Sequence, residues 1–152
     1  MRISKHISLK EAVHSNTAKR LGIENTPNDD QLYNMAKVAH NIFEPLRLYV
    51  GGAIKINSFF RSEELNKAIG GSTKSQHCQG CAIDIDDIYG HKSNYEMFQY
   101  IRENLDFDQL IYEFGDATNP SWVHCSFLSK KENRNRVLRA VKNNGKTSYQ
   151  IF

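Results

Sequence analysis

The sequence predicts an α+β fold in which helices flank a small, mainly antiparallel sheet. Segments with apolar residues at helical spacing, several of them introduced by a serine or threonine, are interspersed with short segments in which apolar and polar residues alternate. Residues 115–121 form a turn-rich stretch between two alternating segments, which favours an antiparallel pair. Because no linker, repeat or low-complexity stretch interrupts these patterns, we expect one domain over residues 1–152.

The first half of the chain is predicted to be mainly helical. Residues 8–11 (SLKE) have the pattern of a capping box, in which a serine hydroxyl and a glutamate carboxylate bind free backbone N–H groups, so a helix is expected over residues 8–21. Thr26 opens a second helix, which Pro45 is expected to bend or end because proline lacks a backbone N–H. The apolar stripe of this second helix has the spacing of one helical face: Leu32, Met35, Ala36, Ala39, Ile42 and Phe43.

The rest of the chain is predicted to supply the sheet. Four segments with alternating or short apolar patterns are predicted as strands: residues 53–60, 82–86, 109–114 and 122–128. Helices are expected between them over residues 62–69 and 93–105. A capping box at residues 129–132 predicts a last helix that fades near residue 143, and residues 148–152 are predicted as an edge strand.

The composition is that of a globular protein without a clear affinity for nucleic acid or membranes. The 20 Lys and Arg exceed the 17 Asp and Glu, and the basic cluster between residues 130 and 146 has no interleaved aromatic residues, so it is interpreted as a solvated helix face. The first residues, 1–6, include basic residues but no apolar stretch follows them, so no secretory signal is expected, and no run of about 18 apolar residues predicts a membrane span. The three cysteines, an odd count, favour reduced thiols. The expectation is a monomer that is cytoplasmic as synthesised.

Three side chains at distant positions are candidate metal ligands. His77 is followed seven residues later by Asp84 on a predicted strand, and small residues between them allow the backbone to turn closely. His124 lies on another predicted strand, on the face opposite to Val123 and Cys125. Two imidazoles and one carboxylate leave a fourth position open on a tetrahedral ion, as catalysis requires.

Glu113 is the candidate general base. Alternation along its predicted strand sends Glu113 to the face of Gln109 and Ile111, away from Phe114, so it can aim at water without being a ligand. The residues alone leave other interpretations open. A histidine beside a strand aspartate is commonly only a hydrogen-bonded pair, and two histidines with one aspartate also form the iron site of oxygenases, although the predicted helices argue against that scaffold.

Longer motifs around these residues resemble those of the zinc D-alanyl-D-alanine peptidases. Residues 75–84 read SQHCQGCAID, which matches the signature S-x-H-x-x-G-x-A-x-D at every fixed position. Residues 122–124 (WVH) match the later W-x-H, and residues 58–62 (SFFRS) look like the family's S-x-x-R-S segment. The resemblance covers roughly residues 25–128 and implies the Hedgehog/DD-peptidase fold.

The resemblance implies a role for each residue of the site. His77, Asp84 and His124 would hold Zn²⁺, and Glu113 would be the catalytic base. The related Hedgehog domain supports the role of Glu113, because there too a Tyr-Glu strand precedes a His-Cys-Ser strand. The resemblance also implies substrate-binding side chains. Arg61 would bind a carboxylate of the substrate. Ser75 and Gln76 would hydrogen-bond substrate or neighbouring groups, and Trp122 would contact substrate.

Peptidoglycan peptides that contain D-amino acids are the implied substrates, cleaved either at a terminal residue or within a cross-link. A short chain without a signal fits cell-wall lysis by a phage or prophage enzyme that is released when a membrane pore opens. The alternative is a Hedgehog-like module that binds zinc without turnover and needs a fourth ligand. Cys78 and Cys81 are interpreted as packing residues instead, and Cys125 faces away from His124.

Overall fold

The computed structural model describes all 152 residues. Eight strands are present: β1 (Arg2–Ser4), β2 (Ile7–Ser8), β3 (Lys55–Ser58), β4 (Ala82–Asp86), β5 (Gln109–Glu113), β6 (Trp122–Ser126), β7 (Arg136–Asn143) and β8 (Lys146–Ile151). The last six form one sheet in the order β3-β4-β6-β5-β7-β8, while β1 and β2 form a separate hairpin. Neighbours in the large sheet are antiparallel except β5 and β7, which are parallel. The sheet is therefore mixed, with mainly antiparallel pairing as predicted.

Helices supply the second layer. They are α1 (Leu9–Ala12), α2 (Asn16–Leu21), α3 (Asp29–Val38), α4 (Glu44–Val50), α5 (Glu63–Ala68) and α6 (Asn94–Asn104), with a π-helical segment (Ala39–Phe43) and a 3₁₀ helix (Gln76–Gln79). The α+β class is confirmed. The helices predicted over residues 62–69 and 93–105 are present as α5 and α6, and the capping box at the start of α6 is formed. None of the helices has the length and apolarity needed to cross a membrane.

The first predicted helix, over residues 8–21, is wrong in its extent. Ser8 caps α1 as expected, since its hydroxyl accepts the N–H of Glu11 at 3.1 Å. The helix ends after one turn, however, and Ser15 opens α2 by accepting the N–H of Ala18 at 3.1 Å. A second serine cap within the segment therefore divides it into two short helices.

The second predicted helix starts later and continues further than expected. Its capping residue is Asn28, which forms a capping box with Gln31, and not Thr26. Pro45 does not end the helix, because the wider π-helical turn Ala39–Phe43 precedes it. Pro45 lies in the first turn of α4. A backbone N–H at this position would have no partner within the helix, so proline is tolerated there.

The helix predicted from residue 129 is also wrong. Ser129 and Glu132 make the expected cap hydrogen bond at 3.1 Å, yet only a turn follows. Residues 136–143 instead form β7, which pairs in parallel with β5. Asn144 and Gly145, with φ of 52° and 78°, make the two-residue turn to β8, which confirms the predicted edge strand in a slightly longer form.

The apolar core lies between the helices and one face of the sheet. Ile83, Ile85, Val123 and Cys125 point to this face and are fully buried, so the predicted alternation is confirmed on β4 and β6. The β4 bounds agree with the prediction, whereas β3, β5 and β6 are shorter than predicted. Because successive side chains point to opposite faces, the polar residues of these strands share the other face of the sheet.

Candidate metal centre

Two neighbouring strands place a histidine opposite an aspartate. β4 and β6 are antiparallel, and their register sets Asp84 directly opposite His124. Ile83 pairs with Cys125 on the core face, so Asp84 and His124 both point to the other face. His124 Nδ1 lies 2.8 Å from Asp84 Oδ1.

His77 joins this pair from the 3₁₀ helix that precedes β4. Its Nδ1 lies 2.7 Å from the carbonyl oxygen of Phe59. A carbonyl can only accept, so Nδ1 carries the proton and Nε2 keeps its lone pair. Nε2 lies 3.2 Å from Asp84 Oδ2. The N–H of Arg61 donates to the carbonyl of His77 at 3.3 Å, which ties the SFFRS segment to this histidine.

Both ends of the 3₁₀ helix are fixed by residues of the signature. At the N-terminus, Ser75 Oγ accepts the N–H of His77 at 3.3 Å. At the C-terminus, Gly80 has a φ of 75°. A Cβ atom at Gly80 would lie 2.6 Å from the carbonyl oxygen of Gln31. Glycine is therefore required at this position both for its backbone conformation and for the close approach of α3.

The three side chains fit a metal ion. Their candidate ligand atoms all lie within 4.8 Å of one another. His77 Nε2 is buried and makes no hydrogen bond, which is unfavourable for a polar atom unless a ligand satisfies it. Two imidazole nitrogens and one carboxylate are the donor set of open, catalytic zinc sites. The protein thus has a group of residues that could hold a metal with room for a further ligand.

No cysteine belongs to this group. Cys78, Cys81 and Cys125 are free thiols and are buried. Cys125 lies in the core on the far side of β6 from His124. Burial raises the pKa of Cys78 and of Cys81, which favours the neutral thiol over the thiolate that binds metals. A closed site with a sulfur as fourth ligand is therefore not formed.

Burial and mutual contact change the pKa of all three candidate ligands. Burial lowers the pKa of His77, which favours the neutral imidazole that a metal requires. Burial opposes ionisation of Asp84, but His77 and His124 outweigh it and hold the pKa of Asp84 far below its usual range. Burial likewise opposes protonation of His124, yet the hydrogen bond to Asp84 raises its pKa. A metal would therefore compete with a proton for His124.

Glu113 lies beside the three side chains on the same face of the sheet. The β5–β6 register pairs Ile111 with His124, which makes Glu113 the diagonal neighbour of His124, with backbone positions about 7–8 Å apart. Glu113 is only 8 % exposed. Burial raises its pKa to about 7, with the charge of His124 opposing and that of Asp84 adding to the shift. A carboxyl group with this pKa can accept and release a proton near neutral pH.

Arg61 lines a pocket that opens next to Asp84. The pocket has a volume of about 420 Å³ and lies between the α1–α2 turn and β3. Arg61 Nε is buried without a hydrogen-bond partner. Burial lowers the pKa of Arg61, with Asp84 opposing that shift. A guanidinium that lines a pocket is suited to bind a carboxylate.

Asp108 is a buried residue near the site that the sequence patterns did not single out. Gln76 Nε2 donates to Asp108 Oδ2 at 2.8 Å, so the side chain of Gln76 is directed into the protein. Arg134 donates to both carboxylate oxygens at 2.9 and 2.8 Å. The hydrogen bonds from Arg134 lower the pKa of Asp108 although burial opposes them. A lone aspartate before a strand carries no motif, and so the sequence offered no signal for this contact.

Trp122 lies directly opposite Glu113 in the β5–β6 register. Its ring packs edge-to-face on Phe114, with 5.4 Å between centroids. Phe114 has a φ of 55°, which ends β5 and turns its side chain onto the cluster around Ile111. The predicted alternation, which placed Phe114 on the face away from Glu113, is therefore wrong at this residue.

These features are typical of metal-dependent hydrolytic enzymes. In such enzymes the metal ligands leave one coordination position free, and a nearby carboxyl group transfers protons. Comparison with known families is consistent with that class, since a family model described as peptidase M15 matches residues 5–126. The chain belongs to the peptidase M15 family, which confirms the resemblance drawn from the signature. Peptidases of this family are metallopeptidases and usually use zinc. A comparison with curated proteins found no match.

Proposed function

We propose that this metallopeptidase uses zinc to hydrolyse peptide bonds involving D-amino acids in peptidoglycan stem or cross-link peptides. The observation that carries the proposal is the group of three candidate ligands next to a buried carboxyl of raised pKa. The match of residues 75–84 and 122–124 to the motifs of D-alanyl-D-alanine peptidases supports the substrate class. The biological role that follows is cell-wall lysis or remodelling, by a protein that reaches the wall after release from the cytoplasm.

In this mechanism His77, Asp84 and His124 would hold the zinc ion. When bound, zinc supplies the Lewis acidity that brings the pKa of water down to about 7 and polarises the scissile carbonyl. Glu113 takes a proton from the attacking water and delivers it to the nitrogen of the leaving amine. Burial raises the pKa of Glu113 to about 7 in the metal-free protein, and a bound cation favours the charged carboxylate that accepts the proton of water.

Substrate contacts are assigned to two side chains. We propose that the guanidinium of Arg61, which lines the pocket beside Asp84, binds a substrate carboxylate. Trp122 is proposed to contact substrate with the part of its ring that remains exposed next to Glu113. Ser75 and Gln76 make hydrogen bonds within the protein, which supports a role in holding the 3₁₀ helix rather than in contacting substrate.

The decisive experiment measures cleavage of purified muropeptides by mass spectrometry. The zinc-loaded wild type is expected to release defined products, and the masses distinguish removal of a terminal D-Ala from cleavage within a cross-link. Glu113→Gln should retain zinc and lose turnover by roughly 10²–10⁴-fold, the range typical of a general base. The control Glu103→Gln removes an exposed carboxylate on α6 and should cleave like the wild type.

The same experiment tests the substrate class and the alternative function. Synthetic stem peptides with D-Ala or L-Ala at the scissile bond should differ in turnover, and equal turnover would refute the preference for D-amino acids. Unchanged turnover by Glu113→Gln would remove Glu113 from the mechanism. Stoichiometric zinc without cleavage by the wild type would favour a zinc-binding interaction module of the Hedgehog kind.

A further inference from the structure

The hairpin β7–β8 lies beyond the family-matched residues 5–126 but borders the site. β7 pairs with β5, the strand that carries Glu113, and β8 pairs with β7 at the edge of the sheet. The register places Ala140 opposite Glu113 and Tyr149 opposite Ala140. Directly paired residues point to the same face, so Tyr149 lies on the face of the candidate metal centre.

Tyr149 is placed to reach the space above Glu113. Two strand spacings separate β8 from β5, roughly 10 Å. The residue between them, Ala140, has only a methyl side chain, so it does not extend into that space itself. Tyr149 and Glu113 have longer side chains and flank Ala140 on the same face of the sheet. Partial burial raises the pKa of Tyr149, and the charges of Glu113 and Asp84 raise it further. The phenol therefore lies within the electrostatic field of the site.

The hydroxyl of Tyr149 is available to a ligand. Tyr149 is 57 % exposed. Other tyrosines of the chain have structural contacts: Tyr112 donates its hydroxyl hydrogen bond to the carbonyl of Asp116, and Tyr49 stacks on Tyr100 with 4.2 Å between centroids. The hydroxyl of Tyr149 makes no hydrogen bond within the protein. This hydroxyl is therefore free to donate a hydrogen bond to a ligand.

We propose that Tyr149 is a substrate-binding residue, whose hydroxyl donates a hydrogen bond to a peptide carbonyl oxygen of the substrate. The strand order supports this assignment, because Arg61 follows β3 at one edge of the sheet and Tyr149 lies on β8 at the other edge. A peptide held by Arg61 and crossing Asp84, His124 and Glu113 continues towards Tyr149. The inference rests on the proposed function. It assigns to the C-terminal hairpin the binding of those substrate residues that lie on the side of the scissile bond away from Arg61.

The test is substrate binding in a variant that cannot turn substrate over. Zinc-loaded Glu113→Gln and the double variant with Tyr149→Phe are titrated with a purified pentapeptide muropeptide. Binding is followed by fluorescence of the single tryptophan, Trp122, which lies next to the site. Loss of one neutral hydrogen bond should weaken affinity roughly 3- to 10-fold. Ser148→Ala in the same background is the matched control, since Ser148 precedes Tyr149 and points to the other face.

The outcomes separate the two proposals. A weaker affinity for the Tyr149→Phe variant, with zinc content and melting temperature unchanged, supports the inference. Equal affinities with and without the Tyr149 hydroxyl overturn it, as does an absence of binding by the Glu113→Gln parent. Cleavage of the same muropeptide by the wild type is scored independently, so the enzyme can be shown to be a peptidase even where Tyr149 proves to have no role in binding.

Discussion

Replacing Glu113 with glutamine should remove a pH-dependent loss of stability from the metal-free protein. Burial raises the pKa of Glu113 from its ordinary value of 4.5 to about 7 in the folded state. The contribution of such a group is fully present below pH 4.5 and is lost as the pH rises through 7, because over this range the carboxyl ionises in the unfolded state while the buried one stays protonated. The difference of about 2.5 in pKa corresponds to about 3 kcal/mol. Glutamine fills the same space and does not titrate.

The assay is urea denaturation followed by circular dichroism, in the presence of a chelator, between about pH 4 and about pH 8. The free energy of unfolding of Glu113→Gln minus that of the wild type should rise by about 3 kcal/mol over this range. Glu103→Gln, which removes an exposed carboxylate, should show a flat difference. Zinc should reduce the change of this free-energy difference with pH, since a nearby cation favours the charged carboxylate. A flat difference for Glu113→Gln would refute the raised pKa of Glu113 in the metal-free protein.

Three further changes test the site and its supports. Zinc at about 100 times its dissociation constant should stabilise the wild type by about 2.7 kcal/mol in thermal melts and leave Asp84→Ala unaffected, whereas an equal effect on both would place the metal elsewhere. Asp108→Ala should lower the free energy of unfolding by roughly 2–4 kcal/mol, because the bidentate contact with Arg134 is lost. A urea midpoint for this variant close to that of the wild type would contradict the expectation. Gly80→Ala should destabilise by more than about 1 kcal/mol, because its Cβ would lie 2.6 Å from Gln31 O, and a neutral effect would show that the 3₁₀ helix can shift.

Elements with local signals could be predicted from the sequence. The start of α6 follows from the capping box at Ser93, and β4 follows from the alternation of Ile83 and Ile85 with Asp84. These patterns also assigned Asp84 and His124 to the faces on which they lie. The register that sets the two residues opposite each other is a tertiary property, and only the resemblance to a known family indicated that they meet.

Elements that depend on distant pairing could not be predicted in the same way. The cap at Ser129 forms as its sequence dictates, but the residues that follow gain more from pairing with β5 than from a helix. One local signal was overlooked, because the dipeptide Asn144-Gly145 favours a two-residue hairpin turn. That signal would have predicted β7 as the partner of the edge strand that carries Tyr149. The contact between Gln76 and Asp108 had no signal of this kind.

The C-terminal hairpin and the properties of Glu113 are physically linked. Without β7, β5 would be the edge of the sheet, and Glu113 would lose Ala140 as its neighbour on one side. Leu138 and Ala140 also cover Ile111, so β7 excludes water from the strand that carries the carboxyl. Burial is the leading cause of the raised pKa of Glu113. The segment beyond the family-matched residues therefore does more than close the sheet, because it helps to set the protonation state on which proton transfer by Glu113 depends.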